Sequence, residues 1–540
     1  MKDGDTDFER IADVVMSRRG FLGAGVAFGA AAFVTGGGVA RVGAANAGKR
    51  RFGFTAVPAN TLDTVTVPDG YQWRVVASWG DPLWSSGASF DHETRGTAAS
   101  TQRAFGDNND GMALFTHRDR TILAVNNEYA NGSIIFGNRP SRKPETIDDI
   151  RKGMAAHGVT ICEIAQQGGV WGIVPDSPYN RRITPETPMA ITGPARGHAL
   201  MQTAADPHGV LARGTWANCG CGRTPWGTYL TCEENFDFYF SSSDWVGAPG
   251  MELRRYGIGK WDRGHRWSLA DERFDVGQHP NEPNRVGYVV EIDPLDPTST
   301  PRKRTALGRF KHENAEMVLA TDGHVVVYMG DDERGEFLYK FISHARYVEG
   351  GDKDVLLDSG RLYAAKFQEE GRGEWIELTP ASTGLKSQAG ICIHTRFAAS
   401  AVGATTMDRP EWVAAHPQKA EIYCALTHNK NRGKKPNAGG DATPVGGPNP
   451  RAANNYGQIV RWRPDNGDHM ANGFDWDLFV LAGNPEVHDS ARAGSRNVTP
   501  ENMFNSPDGL AFDANGMLWI RTDGSESNVG DFAGMGNNQM

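Results

Sequence analysis

The chain lacks the features that define several large classes of protein. Its 56 lysines and arginines are outnumbered by 65 aspartates and glutamates, which gives a net charge of −9 over 540 residues. This balance excludes the basic surface that nucleic-acid binding requires. No stretch of the mature chain is long and apolar enough for a transmembrane helix. Six cysteines in so long a chain do not form a disulfide framework. We therefore expect no nucleic-acid partner and no stable membrane anchor.

The chain also lacks the common signatures of hydrolases. It contains no Gly-x-Ser-x-Gly elbow, and no Ser-His-Asp order suggests a catalytic triad. Cys219 and Cys221 have no second Cys-x-x-Cys pair at the spacing of a structural zinc site. A catalytic role would therefore need another source of the nucleophile.

Glycine and proline are plentiful, with 66 and 29 residues, and amphipathic helical periods are few. This composition predicts many short strands joined by tight turns. Runs that start at a glycine, alternate and end in a turn are typical of the outer strands of propeller blades; they cover 158–164, 287–294, 335–341 and 457–462. We expect an all-β fold, a β-propeller with loop insertions near 85–95, 245–267 and 429–455 and a short helix near 410–421. Another all-β stack is the alternative, and it would scatter the acids described next.

Apolar strands that end in oxygen-rich side chains recur five times, roughly 95 to 110 residues apart. The endings are Asn126-Asn127-Glu128, Glu233-Glu234-Asn235, Gly330-Asp331-Asp332, Thr427-His428-Asn429 and Thr522-Asp523-Gly524. Because the inner strands of a propeller converge on one axis, these ends would meet at one mouth. So many carboxylates would repel one another unless multivalent cations lay between them.

Three further segments, 309–316, 405–412 and 506–513, place charged residues between the strands. They contain Glu313, Arg409 between two acids, and Asp508. Oxygen-only clusters suit calcium or magnesium, whereas a thiolate suits iron or zinc. Clustered cations beside an arginine fit phosphoryl transfer, with a metal-borne oxygen as nucleophile.

The N-terminus has the pattern of a twin-arginine signal. Arg18-Arg19 precedes a Gly/Ala-rich apolar run to Ala40, and Ala45-Asn46-Ala47 is a small-x-small cleavage site. We expect residues 1–47 to be removed during export of the folded protein by the twin-arginine translocation machinery. The mature protein, 48–540, would then be one periplasmic or extracellular domain.

Several phrases of the chain resemble one known family. They are 218–235, His312-Glu313-Asn314-Ala315, Gly330-Asp331-Asp332, Met407-Asp408-Arg409-Pro410-Glu411 and Ser506-Pro507-Asp508-Gly509. As an ordered set, they resemble the PhoX-type alkaline phosphatases. The resemblance implies an exported, six-bladed propeller with an iron–calcium cluster that hydrolyses small phosphomonoesters to release phosphate. A monomer is expected.

The resemblance also assigns roles to residues. Cys219, Glu313 and Glu411 would be iron ligands, and Arg409 would bind the phosphoryl oxygens. The remaining carboxylates would bind iron or calcium: Glu128, Glu233, Glu234, Asp332 and Asp508. Two departures from the family are Cys221, an extra thiol in the glycine-rich turn, and the chain end at Met540. Members of the family continue further, so we expect the closing strands at the C-terminus to be missing.

Two other functions remain open on the sequence. A calcium-dependent, lactonase-like propeller would need a carboxylate cage but neither Cys219 nor Arg409. A non-enzymatic propeller could use its rim to bind a partner, with calcium only as a structural ion.

Overall fold

The computed structural model describes residues 54–242, 250–524 and 527–540. The expected signal peptide, 1–47, lies outside these residues. Twenty-two strands, seven short α-helices and eleven short 3₁₀ helices make up the regular structure of the described part. The helices are α1 (Ala98–Thr101), α2 (Gly132–Ile135), α3 (Ile147–Ala156), α4 (Met251–Arg255), α5 (Pro380–Thr383), α6 (Gln388–Ile393) and α7 (Thr395–Ala401).

The first sheet has five strands, β1 (Asn109–His117), β2 (Arg120–Asn127), β3 (Gly158–Gln167), β4 (Val170–Ile173) and β5 (Arg181–Ile183). Its order is β1-β2-β3-β4, and β5 also pairs with β3. All of its pairings are antiparallel. In β2, Ile122 and Ala124 face the core, as alternating apolar residues in a strand predict.

The second sheet has six strands, β6 (Pro188–Thr192), β7 (Leu211–Arg213), β8 (Asn218–Arg223), β9 (Tyr229–Glu233), β10 (Val289–Ile292) and β11 (Arg302–Arg304). Its order is β7-β6-β11-β10-β9-β8. Only β6 and β11 pair in parallel within this sheet. Its apolar face packs on the first sheet through a core that includes Ile122, Ile161, Tyr229 and Val290.

The third sheet has nine strands, β12 (Glu316–Leu319), β13 (His324–Gly330), β14 (Leu338–Arg346), β15 (Gly360–Phe367), β16 (Arg372–Glu377), β17 (Pro410–Ala415), β18 (Ile422–Leu426), β19 (Gln458–Pro464) and β20 (Gly473–Leu481). Two runs of consecutive antiparallel strands, β12–β16 and β17–β20, join where β16 pairs with β20. A last hairpin pairs β21 (Pro507–Phe512) with β22 (Leu518–Thr522).

We call five of these runs units 1 to 5: β1–β4, β8–β11, β12–β16, β17–β20 and β21–β22. Their first strands lie side by side in the order β1, β8, β12, β17, β21. Near the two ends of the described chain, the amide of Asn537 donates to the carbonyl of Asn60 at 2.8 Å. The first strands thus form one continuous series from β1 to β21.

The expectation of a mostly β protein with few helices is confirmed. The six-bladed propeller stays a prediction: pairing of β16 with β20 joins two units of the described residues into one sheet. The expected short helix near 410–421 is wrong. Residues 410–415 form β17, whose Val413 is fully buried against the third sheet.

Candidate metal centre

The acidic side chains sit at one edge of the units. In an antiparallel pair, the start of the first strand and the end of the second lie at the same edge. Asp110, Cys219, Glu313, Glu411 and Asp508 lie at or just before the starts of first strands, and Glu128, Glu234, Asp332 and Asp523 follow the ends of second strands. The acids that follow second strands are therefore joined at the same edge by a second set of site residues at the starts of first strands.

A repeated backbone feature precedes these side chains. Asn108, Ala217, Arg409 and Ser506 have φ values of 42°, 53°, 56° and 49°. Each stands two residues before a residue at the centre: Asp110, Cys219, Glu411 and Asp508, respectively. Non-glycine residues rarely adopt this left-handed conformation, which costs about 1 kcal/mol or more. The strain recurs where the chain turns into a first strand and aims the next side chains at the centre.

Three groups of side chains could each hold a metal ion. The groups are Asp110–Glu128–Cys219, Cys219–Glu234–Glu313 and Glu313–Asp332–Glu411, and the candidate ligand atoms in each lie within 4.8 Å of one another. Cys219 and Glu313 are shared, so the groups form one continuous chain. The Cys219 Sγ lies 3.4 Å from an Asp110 oxygen and 3.3 Å from Glu313 Oε1.

Close backbone packing between units brings the groups together. A Cβ placed on Gly220 would lie 2.4 Å from the carbonyl oxygen of Glu313. One on Gly330 would lie 2.5 Å from the carbonyl oxygen of Pro410 and 2.7 Å from that of Glu411. Only glycine fits such an approach. These two contacts set the spacing between β8, the Glu313 segment, β13 and β17.

The electrostatics of the centre call for cations. Burial raises the pKa of Glu128, Glu234, Glu313, Glu411 and Asp508 well above the usual range, and neighbouring carboxylates raise each one further. Burial likewise raises the pKa of the Cys219 thiol, and nearby carboxylates add to the rise. Acids in this environment ionise together only when multivalent positive charge compensates them.

The donor set also fits metal ions in its hydrogen bonding. Buried polar atoms usually have partners, yet Glu313 Oε2 and Asp332 Oδ1 have none among the described residues. Both belong to the third group. An ion that these oxygens coordinate would satisfy them, so the residues present fit a metal centre.

Arg409 lies at the mouth of the centre. Its Nη2 donates to Asp332 Oδ2 at 2.5 Å and lies 2.9 Å from Glu411 Oε1. Its side chain is 21% exposed, whereas those of the two acids are nearly buried. The guanidinium therefore lies next to the third group, on a side chain that keeps some contact with solvent.

Glu233 faces away from the centre, although its neighbour Glu234 belongs to it. Glu233 Oε1 pairs with Lys303 Nζ at 2.5 Å, and Oε2 accepts from the amides of Gly287 and Tyr288. Successive side chains of a strand point to opposite faces, so two adjacent glutamates at a strand end cannot both reach one site. The structure therefore assigns Glu233 to a buried ion pair and removes it from the ligand set that the sequence predicts.

Asp508 lies near the groups without belonging to any of the three found among the described residues. Its charge contributes to the raised pKa of Glu313 and of Glu411. Asp523, after β22, is close enough to Asp508 to raise its pKa. Sequence reasoning noted Asp523 only as a strand ending and did not select it.

Asp110 is the residue that sequence reasoning missed. It stands at the start of β1, and Asn109 pairs with Asn127, the residue before Glu128. The available signal was the polar sequence Asn-Asp-Gly at the start of a strand whose partner ends in an acid. The extra thiol, Cys221, packs in the core between the first two sheets, where burial raises its pKa to about 12. It is therefore an inert core residue.

Comparison with known proteins identifies the family of the chain. The family model described as alkaline phosphatase PhoX matches residues 52–539. The chain belongs to the PhoX alkaline phosphatase family. The solved structure of Pseudomonas fluorescens PhoX in complex with vanadate, a transition state analogue, is similar over 90% of this chain and 86% of that one, with 51% identity and a TM-score of 0.85. No protein with a curated description matches.

The resemblance seen in the sequence is thereby confirmed. As a member of the PhoX family, the chain is a phosphomonoesterase.

Proposed function

We propose that this phosphatase works through a cluster of multivalent cations held by eight residues of this chain. The ligands would be Asp110, Glu128, Cys219, Glu234, Glu313, Asp332, Glu411 and Asp508. The observation that carries the proposal is the chain of three groups that share Cys219 and Glu313. The PhoX family is metal-dependent, which supports it.

The identity of the ions follows from ligand chemistry. The two groups that contain Cys219 combine a thiol with carboxylates and suit iron, because thiolates favour transition metals. The group Glu313–Asp332–Glu411 offers only carboxylate oxygens, with Asp508 nearby, and could bind calcium. The family resemblance assigns Glu313 and Glu411 to iron. On that assignment, this group would contribute ligands to both iron and calcium. We propose iron and calcium as the cofactors.

Arg409 would hold the substrate. Its guanidinium offers several N–H donors in a planar fork that matches phosphoryl oxygens, and its side chain is partly exposed to solvent. A phosphoryl group would replace one of its present carboxylate acceptors. When bound, the cations would neutralise the phosphoryl oxygens and lower the pKa of a coordinated water.

The buried carboxylates determine where the reaction takes place. Their strand-end positions fix them at one mouth, and the surrounding cores exclude water from behind. A relative of similar architecture was solved in complex with vanadate, a transition state analogue, which supports phosphoryl transfer as the chemistry of this site. The lactonase-like and non-enzymatic alternatives would leave Cys219 and Arg409 without a role.

We further propose that the five units are blades of a six-bladed propeller, which a solved structure with all inner strands around one axis would test. No helix of the described residues could span a membrane. We propose export by the twin-arginine machinery to the periplasm or the exterior, as a monomer. Unchanged export after replacement of Arg18 and Arg19 by lysine would contradict the proposed route.

A paired substitution tests the metal centre. Glu313→Gln removes the charge of a shared ligand. Glu316→Gln changes a glutamate three residues further along, which lies outside the three groups and accepts from the amide of Ala415. We expect Glu313→Gln to lose bound metal and at least 100-fold in kcat/KM, about 2.7 kcal/mol of transition-state stabilisation. Glu316→Gln should retain both. Wild-type activity and metal content in Glu313→Gln would contradict the proposal.

A further inference from the structure

The turn that carries Asp332, residues 331–336, is clamped by two buried arginines. Asp331 accepts from Arg396 Nε at 2.8 Å and from Nη2 at 2.5 Å. Glu336 pairs with Arg255, whose Nη2 donates at 2.8 Å. All four side chains are at most 1% exposed. Arg396 also donates from Nη1 to the carbonyl of Arg255 at 3.0 Å, which connects the two pairs.

The clamping residues come from outside the strands. Arg396 lies on α7 and Arg255 on α4, two short helices inserted between strands. Ser400 on α7 accepts from Arg255 at 3.3 Å and donates to Asp441 at 2.6 Å. The insertions thus meet directly behind the turn.

One side of this turn pairs with the segment that carries Glu313. The amide of Asp332 donates to the carbonyl of Lys311 at 3.0 Å, and the amide of Glu313 donates to that of Gly330 at 3.3 Å. Asp331 and His312 form an isolated antiparallel bridge.

The other side pairs with the segment that leads to Arg409 and Glu411. The amide of Gly335 donates to the carbonyl of Met407 at 2.9 Å, and the amide of Met407 donates to that of Glu336 at 2.8 Å. Arg334 and Asp408 bridge next to it. One turn therefore connects every member of the third metal group and the arginine at its mouth.

We propose that Arg396 is a positioning residue for the phosphatase reaction, acting through Asp331 to hold Asp332 against Glu313, Glu411 and Arg409. The inference rests on the proposed role of these residues at the metal centre. Asp331 and Asp332 are neighbours in this segment of the turn, and their side chains reach different partners: Asp331 accepts from Arg396 behind the turn, whereas Asp332 accepts from Arg409 at the mouth. Two parallel bonds from a guanidinium to Asp331 fix the rotation of that segment and thereby aim Asp332 at the centre.

Another buried arginine provides a matched control. Arg304 is 1% exposed and donates to Glu291 at 2.8 Å, and so resembles Arg396 in burial and pairing. Glu291 pairs in register with Leu230 near the start of β9, whereas Glu234 follows the end of that strand. Removing either arginine leaves a buried carboxylate without its cation, which is strongly destabilising. Only one of the two pairs touches the turn.

The experiment compares Arg396→Gln with Arg304→Gln in the purified metal-loaded enzyme. The readouts are thermal unfolding, kcat and KM with p-nitrophenyl phosphate, and iron and calcium retained after dialysis against a chelator. We expect both variants to lose thermal stability. Arg396→Gln should also lose at least 10-fold in kcat/KM and more than half of its retained metal, whereas Arg304→Gln should stay within 2-fold of the wild type in both.

Values for Arg396→Gln within 2-fold of the wild type would overturn the inference, as would equal losses in the two variants. If Arg396→Gln fails to fold, the double variant Asp331→Asn/Arg396→Gln removes the unpaired charge and should fold. It should show the same loss of kcat/KM and metal, and wild-type values would overturn the inference. Failure of the proposed function would appear elsewhere, as full activity of the wild type after complete metal removal.

Discussion

Gly330 offers a sharp test of how the centre is assembled. It ends β13, and its backbone is not left-handed. A substitution there therefore acts by steric contact of the new side chain and not by straining the backbone. The Cβ of Gly330→Ala would lie 2.5 Å from the carbonyl oxygen of Pro410 and 2.7 Å from that of Glu411. A comfortable C···O contact needs about 3.3 Å. Because both neighbours are backbone atoms, β13 and β17 must separate by about 0.8 Å at the point where Asp332 faces Glu411.

This displacement is large for a metal centre. Metal–ligand distances tolerate deviations of about 0.2 Å, and a misplacement of about 1 Å in an active site can cost 100-fold in rate. We therefore expect kcat/KM of Gly330→Ala to fall about 100-fold, or about 2.7 kcal/mol. Overpacking should also cost about 1–3 kcal/mol of unfolding free energy. Phosphate-release kinetics, elemental analysis and denaturant unfolding measure the three effects.

Gly172→Ala in β4 is the control, because a Cβ there meets nothing within 4 Å. It should leave kcat/KM and metal content unchanged. Wild-type activity and metal content in Gly330→Ala would refute the claim that this approach sets the ligand spacing.

Three other predictions follow from the site. Glu234→Gln should lose metal and activity. Glu233→Gln should keep its metal but have a lower free energy of unfolding, because it breaks the buried pair with Lys303. Equal metal loss in the two variants, measured by elemental analysis, would contradict the assignment. Arg409→Lys should lower kcat/KM about 100-fold in steady-state kinetics, since an ammonium cannot reproduce the planar fork. Wild-type kcat/KM in this variant would rule out a role of Arg409 in binding the phosphoryl group. Burial raises the pKa of Glu316 from 4.5 to about 7, so the folded state binds more protons and its stability falls as pH rises from 4.5 to 7. Glu316→Gln should therefore stabilise the protein more at pH 8 than at pH 5, by on the order of 2 kcal/mol, and equal effects in thermal unfolding at both pH values would contradict this.

The sequence predicted the mostly β fold and the strand ends that carry the acids. Short apolar runs followed by Glu128, Glu234 and Asp332 can be recognised in the sequence, because strand periodicity and polar strand endings are local features. The pairing of β16 with β20 could not be predicted from the sequence. It depends on contacts between residues about a hundred positions apart, such as Arg372 and Asp475.

The limits of the site prediction have similar causes. Glu233 and Glu234 look equivalent in the sequence, and only the direction of a strand at its last residue separates them. Asp110 lies at an irregularity in the pairing of β1, within an Asn-Asp-Gly sequence that is typical of ordinary turns, so its role emerges only when its pairing partner is known. The left-handed residues before the site include Ala217, a residue type that gives no warning of this conformation.

The central claim is that buried carboxylates and one thiol converge around bound metal. Elemental analysis of protein purified without chelator tests it most directly. We predict iron and calcium together in the wild type, with iron lost in Cys219→Ser while much of the calcium remains. A protein that contains neither metal and still hydrolyses phosphomonoesters at its full rate would contradict the account.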